Sequence, residues 1–334
     1  MPVMRIGAVW LANDNAHYRA IDPLKAMERR GHDVVWPADP EANPDLRQLG
    51  TCDVVHVYRR ADDEIRPLLA ALVRGGTPFT YDNDDDFTSV PKQSPEYRKS
   101  GGFKWQRYFM ASVKVAQAAR TCTTTTEVLA EKYRRAGVER VQVVGNHLAP
   151  DLERPRNRHD GIVIGWIAAL EHRADADRLK IADALRRLID EHDDVRVECI
   201  GVNLGLTERY RHDPAVPFLG LPRRIAGFDI GIAPLADIPW NWARSDIKLK
   251  EYAASGVPWL ASPVGPYRGL GEEQGGRLVP DDNWFEALDR LVTHRRERRR
   301  LARKAKAWAK EQTIEAVAER WERVFADAAA GDPT

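Results

Sequence analysis

Residues 243–268 read Ala243-Arg244-Ser245-Asp246-Ile247-Lys248-Leu249-Lys250-Glu251-Tyr252-Ala253-Ala254-Ser255-Gly256-Val257-Pro258-Trp259-Leu260-Ala261-Ser262-Pro263-Val264-Gly265-Pro266-Tyr267-Arg268. The polar run Arg244-Ser245-Asp246 offers a side-chain cap for a helix start. Leu249, Tyr252 and Ala253 then recur at helical spacing. Gly256 stops the helix, Val257 to Ala261 reads as a short buried strand, and Ser262 to Pro266 is a loop that cannot extend it. A capped helix N-terminus offers unpaired N–H groups and a positive dipole end, which suit a phosphate. Lys248 on the first turns adds a cation. Glu251, further along, is a carboxylate able to accept from sugar hydroxyls.

Around this stretch the chain repeats one theme. In the first half, Arg5 to Leu11, His32 to Trp36, Asp53 to Tyr58 and Pro78 to Asp82 read as buried strands. Between them lie helical stripes such as Tyr18, Ile21, Leu24 and Met27, and the helix Ile65 to Arg74. Thr126 is placed to cap a helix from Glu127 to Ala136. The polar, Pro-containing run Asp151 to Asp160 interrupts the alternation, and Ile162 to Ile167, Val195 to Gly201 and Asp229 to Pro234 restart it. Strands alternating with helices imply α/β architecture with parallel, doubly wound sheets, whose ligands bind beyond the carboxyl ends of the strands. Ile314, Val317, Trp321, Val324 and Phe325 form a last helical stripe. His56 lies inside an apolar strand and reads as a hydrogen-bonded core histidine.

The chain has 334 residues, enough for two domains, and 30% charged residues that balance to a net charge of +1. No general attraction to polyanions follows. The dense basic run Arg290 to Lys310 reads first as a solvated helix face. Met1 to Leu11 lacks the pattern of a signal peptide, no apolar run approaches the length of a membrane helix, and the three cysteines are scattered beside strands. These features lead us to expect a cytoplasmic protein with free thiols, no integral membrane segment and no metal-ligand spacing.

The segment Lys248-Leu249-Lys250-Glu251-Tyr252-Ala253-Ala254-Ser255-Gly256-Val257-Pro258, continuing to Tyr267, resembles the nucleotide-binding segment of GT-B glycosyltransferases of the family 4 type. Asp53 to Tyr58, Val143 to Leu152 and Phe228 to Asp246 resemble further runs of that family. The resemblance implies a GT-B architecture: two Rossmann-like, doubly wound domains facing a cleft, with a C-terminal helix crossing back to the first domain. The corresponding division is 1–150 for the acceptor domain, 151–309 for the nucleotide-sugar domain and 310–330 for the crossing helix. It also implies an enzyme that moves a hexose, with retention, from a nucleoside-diphosphate sugar, a UDP-sugar being favoured. The acceptor is left open among glycan, lipid, protein and nucleic acid. No cofactor or metal is expected, since GT-B enzymes generally hold the diphosphate without one. The alternatives are a GT-B nucleotide-sugar epimerase and a non-catalytic nucleotide-sugar-binding protein. The latter is suggested by a departure from the family's Glu-x7-Glu: the position eight before Glu251 is Ala243.

On this resemblance the donor-binding candidates are Gly165, Arg173, Arg244, Ser245, Lys248 and Glu251, with Glu251 on the ribose and the cations on the diphosphate. Asp82, Asp84 and Asp85 end the fourth strand. Crowded carboxylates there must be solvated, share a proton or meet a cation or sugar hydroxyls. They are the candidate catalytic acids, beside Lys248. The run Lys92 to Phe109 interleaves basic and aromatic residues, which suit sugar rings and phosphates. Tyr97, Arg98, Phe103, Trp105 and Arg107 are the acceptor candidates, against the alternative that Trp105 and Phe109 are core.

Overall fold

The computed structural model describes residues 1–92, 97, 103–150, 152, 154 and 159–330, except the side chain of Phe103. Arg98 therefore lies outside the described residues, as does most of the 151–158 stretch.

The first sheet is built from β1 (Arg5–Trp10), β2 (Asp33–Val35), β3 (Val54–Tyr58), β4 (Phe79–Asn83), β5 (Thr121–Thr124) and β6 (Val141–Val143). Its order is β2-β1-β3-β4-β5-β6, and every pairing is parallel. The second comprises β7 (Ile162–Ala168), β8 (Val195–Gly201), β9 (Tyr210–Asp213), β10 (Ile230–Ala233), β11 (Trp259–Ala261) and β12 (Gly276–Leu278), in the order β12-β11-β10-β7-β8-β9. It too is parallel throughout. β3 and β10 are buried along their whole length, as strands covered on both faces must be, which explains their unbroken apolar character. Each sheet reverses its winding once, at β1/β3 and at β7/β10, and loops from these strands' carboxyl ends form the cleft.

The last helix, Ile314–Ala329, crosses back onto the first sheet. Its Trp321, Val324 and Phe325 are fully buried with Ile6, Val54 and Tyr58. His56 is the satisfied core histidine expected: its ring nitrogens meet Thr80 Oγ1 at 2.9 Å and the Arg19 carbonyl at 2.8 Å. Thr126 caps Glu127–Arg135 by accepting from the Leu129 amide.

Two sequence expectations need correction. Neither Ser245 nor Asp246 caps the helix Ile247–Ala254; Asp246 occupies the cap position, but its carboxylate turns to the Lys250 ammonium at 2.9 Å. Gly165 lies in mid-strand rather than at the cleft. A Cβ there would fall 2.0 Å from the Phe228 ring, so its lack of a side chain serves core packing, not approach to a diphosphate. Gly165→Ala is therefore expected to lower stability by about 1–3 kcal/mol through overpacking, with ligand affinity of the folded protein unchanged. Denaturant unfolding beside ligand titration checks both.

Candidate functional site

A cavity of about 130 Å3 opens where the carboxyl ends of the two sheets meet, lined by Asn15, Asp84, Asp85, Asn146, His172, Leu235, Arg244, Ser245, Ile247, Lys248 and Tyr267. Larger hollows of about 640 and 570 Å3 lie at the opposite, amino ends of the strands, beside Pro78, Arg120 and Arg140 in one sheet and Gly161, Asp194 and Pro258 in the other. In α/β sheets of this kind the carboxyl ends carry the ligand. The small cavity is also where the titratable groups converge.

The acids after β4 do not form a loose acidic loop. Asp82 is wholly buried and takes Arg19 in a two-pronged pair, Nε to Oδ1 at 3.0 Å and Nη2 to Oδ2 at 2.5 Å, with Thr123 donating as well. It is a structural anchor beneath the cavity, which corrects its place among the catalytic candidates. Asp86 accepts from Lys132 at 2.7 Å and from the Thr88 backbone. Asp84 and Asp85 face the cavity. Asp84 accepts from the Tyr58 hydroxyl at 3.0 Å and pairs with Arg59 at 2.5 Å. Asp85 pairs with Arg59 and, at 3.2 Å, with Arg244. Burial raises the Asp84 pKa despite Arg59, whereas Arg59 and Arg244 overcome the burial of Asp85 and hold it below the ordinary carboxylate range. Two adjacent acids thus have opposed proton affinities, the arrangement from which acid and base roles arise.

Arg59 holds this arrangement. It sits at the end of β3 with φ of 55°, in the left-handed region that non-glycine residues rarely adopt. Its guanidinium lies over the Phe87 ring, and Phe87 stacks on Trp105 at 5.2 Å. The helix Phe103–Ala118 thereby braces Arg59, and the Tyr108 hydroxyl donates to the Arg59 carbonyl. Trp105 packs against the first core, and it does not line the cavity. Arg107 is exposed, and Tyr97 is half-buried.

From the other side come Arg244, Ser245 and Lys248. Arg244 bridges Asp85 and Glu171, the latter at 2.9 Å, and lies over the Trp240 ring. Ser245 Oγ accepts from the Asn146 side chain at 3.1 Å. Lys248 differs from its neighbours. Its ammonium nitrogen is shielded from solvent and has no hydrogen-bond partner among the described residues. Burial, reinforced by Arg244, pushes its pKa down to about 8. A buried ammonium without a partner is costly, and here it points into a cavity. Arg173 is not brought to the site, because it pairs with Asp177 at 2.9 Å and donates to the Asn203 carbonyl at 2.6 Å on the surface.

Glu251 lies one turn beyond Lys248, buried outside the cavity. The Tyr18 hydroxyl donates to one oxygen at 3.2 Å and Arg154 to the other at 2.8 Å. Tyr18 belongs to a short π-helical turn, His17–Ile21, whose His17 stacks on Phe218 of the second half at 4.0 Å. Sequence reading placed Tyr18 only on a helical stripe and passed over Arg19 and Arg59. It also passed over His172, whose Nδ1 meets Asp175 at 2.7 Å inside the cavity wall. The spacing His172-x-x-Asp175 was the signal available. Among the described residues no group of three or more His, Cys, Asp or Glu is arranged to hold a metal, and no helix is long and apolar enough to cross a membrane.

No protein-family model matches this chain, and no curated protein matches it by sequence. Solved structures do. Sucrose-phosphate synthase from Thermosynechococcus elongatus superposes with a TM-score of 0.66 at 13% identity, covering 98% of this chain and 100% of that one. HepE from Anabaena, in complex with UDP-glucose, gives 0.64 at 12% identity over 97% and 99%. The UDP complex of MnaA from S. aureus gives 0.56 at 14% identity over 99% of each chain. At these identities the likeness establishes the fold, and the fold is GT-B.

Proposed function

We propose that this protein is a glycosyltransferase that moves a hexose from a nucleoside-diphosphate sugar, with a UDP-sugar favoured, to an acceptor hydroxyl. The observation that carries this reading is the buried Lys248 ammonium, without a hydrogen-bond partner among the described residues, in the cleft between two Rossmann-like sheets. Its natural complement is an anion, and a diphosphate leaving group is one whose charge grows as the reaction proceeds. The new bond joins the acceptor oxygen to the anomeric carbon, the bond from that carbon to the phosphate oxygen breaks, and the nucleoside diphosphate departs with the electron pair. Lys248 and Arg244 favour that charge build-up in a shielded site. The acceptor's proton needs a base, and Asp84, with its raised proton affinity, suits that role better than the doubly paired Asp85. Retention at the anomeric carbon is the course we assign.

UDP-glucose in the HepE complex and UDP in the MnaA complex, both of the same fold, support this donor class. We place the ribose on Glu251 and the base near Phe218. At about 130 Å3 the cavity is smaller than the ~300–1,000 Å3 of typical ligand sites. The nucleoside therefore seats only when Tyr18 and His17 draw back from Glu251 and Phe218, a ribose hydroxyl replacing the Tyr18 phenol. The acceptor side is the basic and aromatic segment of Tyr97, Arg98, Phe103, Trp105 and Arg107, with Trp105 serving to brace Arg59.

Acceptor-dependent release of nucleoside diphosphate is the decisive assay, because epimerisation and simple binding do not produce it. Calorimetric titration should show Lys248→Met and Glu251→Ala each losing about 1.5–3 kcal/mol of nucleotide-sugar affinity, as for hydrogen bonds to charged groups. Unchanged affinity in both would remove the assignment. Asp84→Asn should keep nucleotide affinity and lower turnover by ~10²–10⁴-fold. Asp82→Asn should instead cost about 3–5 kcal/mol of stability by leaving Arg19 uncompensated.

Lys248 also makes a stability prediction. Its pKa is about 8 in the folded chain against an ordinary value of 10.5. The unfolded chain binds more protons than the folded one between those values, so this residue makes stability rise with pH from about 8 to 10.5. The full effect is at most roughly 3 kcal/mol. Lys248→Met should therefore be more stable than the native chain at pH 7, and this advantage should shrink as pH rises toward 10.5. Chemical denaturation at several pH values reads it directly.

A further inference from the structure

The ring of His172 is held in place by a chain of hydrogen bonds. Asp175 accepts from Nδ1 at 2.7 Å, and that carboxylate is itself held by the Ala236 amide at 3.0 Å and the Asn241 side chain at 2.7 Å. These donors keep Asp175 ionised, below the usual carboxylate range despite its burial. The proton of a neutral His172 ring therefore sits on Nδ1, leaving a lone pair on Nε2. That nitrogen has no hydrogen-bond partner among the described residues, on a side chain that lines the cavity.

The charge balance explains why this matters. Around the cavity stand the carboxylates of Asp84, Asp85, Glu171 and Asp175, with Arg59, Arg244 and Lys248 as cations. Both arginines are held in ion pairs with these acids, whereas the Lys248 ammonium has no hydrogen-bond partner among the described residues. One ammonium does not balance a diphosphate that carries two charges in a sugar nucleotide. Bringing such an anion into a shielded site calls for a second positive group, and an Nε2 lone pair turned toward phosphate oxygens would otherwise repel them.

We infer that His172 takes up a proton from solvent as a diphosphate enters the cavity, its Nε2–H donating to the anion while Asp175 stabilises the resulting imidazolium. The inference rests on the nucleotide-sugar reading above and adds a charge-matching step to it. Burial and then Lys248, with Arg244, hold the His172 pKa down in the free protein, while Asp175 opposes them. An incoming anion neutralises the repulsion from both cations, which reverses the balance. Glu171 and Asp85 also act on the ring, and Asp84 and Tyr267 line the same cavity. Lys248 takes up little at pH 7, since its pKa of about 8 leaves it already protonated.

The test uses UDP-glucose, GDP-mannose and dTDP-glucose, whose diphosphates are esterified at both ends and have no proton to lose near neutral pH. Titration calorimetry at pH 7 in PIPES, HEPES and Tris separates proton uptake from binding heat. The native chain should take up between about half and one proton per ligand bound, and its affinity should fall as pH rises from 6 to 8. In His172→Gln the uptake should drop below about 0.2 proton and the affinity by roughly ten-fold, with the pH slope flattened. In Asp84→Asn the uptake should persist. A second measurement needs no variant: long-range ¹H–¹⁵N spectra of the native chain, which has nine histidines, should show one imidazole pass from the Nδ1–H tautomer to imidazolium on binding. Binding without uptake, uptake that survives in His172→Gln, or uptake lost in Asp84→Asn overturns the inference and leaves the donor assignment standing. Failure of all three nucleotide sugars to bind the native chain removes the donor assignment, and the inference with it.

Discussion

The buried pair between Arg19 and Asp82 is the contact on which the first half of the molecule depends. Both side chains are wholly shielded from solvent, so each charge has lost its hydration and must be satisfied by protein. The guanidinium meets both Asp82 oxygens, the Val144 carbonyl and the Asn146 side chain, and lies 5.2 Å from the centre of the Trp321 ring. Its backbone carbonyl receives the His56 ring. One arginine thereby fixes the ends of β4 and β6, the turn after β1 and the returning C-terminal helix against one another. The geometry is demanding because a two-pronged guanidinium–carboxylate pair tolerates little rotation. That rigidity sets where Asp84, two residues beyond Asp82, presents itself to the cavity.

Above this anchor the cavity wall is a near-balanced lattice of charge, and balance is what makes its exceptions informative. Arg59 and Arg244 span Asp84, Asp85 and Glu171, so these five groups neutralise one another except for one residual negative charge. A wall of this kind is well suited to orienting polar substrates and poorly suited to holding an anion by itself. Lys248 departs from the pattern, and so does His172, whose Nδ1 is committed to Asp175 while Nε2 has no hydrogen-bond partner among the described residues. Both side chains come from the second half of the chain. Asp84, whose proton affinity burial raises, comes from the first.

Much of the architecture was legible in the sequence because it rests on local periodicity. The runs Val54–Tyr58 and Ile162–Ala168 are apolar and short, and each is followed by a helical stripe, which suffices for a parallel sheet. The helix Ile247–Ala254 and its Lys248 and Glu251 were also visible, being close together in sequence. What escaped reading were contacts whose partners lie far apart along the chain: Tyr18 with Glu251, Arg19 with Asp82 and Arg59 with Asp85. Four neighbouring aspartates look like one acidic loop when listed in order. Folding separates them into an anchor, two wall residues and the Lys132 partner, according to which cation each one meets. Gly165 misled for the related reason that a glycine in a strand marks a close approach without saying by what; here it is the Phe228 ring.

The contacts that join the two halves divide by chemistry. The returning helix Ile314–Ala329 is held by apolar burial of Trp321 and Phe325, and separating it would expose large aromatic area to water. Across the cleft, beside the aromatic contacts of His17 and Tyr18 with Phe218, the ties are hydrogen bonds and ion pairs: Asn146 to Ser245, Lys250 to the Asn146 carbonyl, Tyr18 to Glu251, Thr126 to the Ala243 carbonyl, and Arg244 to Asp85. Each can be exchanged for a bond to water, at a net cost of about 0.5–1.5 kcal/mol between neutral groups and about 1.5–3 kcal/mol where one group is charged, and a bound nucleotide would offer replacements for several. The chain passes between the halves beside a pair of backbone bonds, Leu148 to Gln312 and Ile314 to Leu148, both 2.9 Å long. Polar contacts thus predominate at the mouth of the cleft, and apolar contacts lie behind the Leu148–Thr313 bridge. A site sealed by hydrogen bonds rather than by hydrophobic area can admit a large polar ligand and close over it without losing the packing that keeps the halves in register.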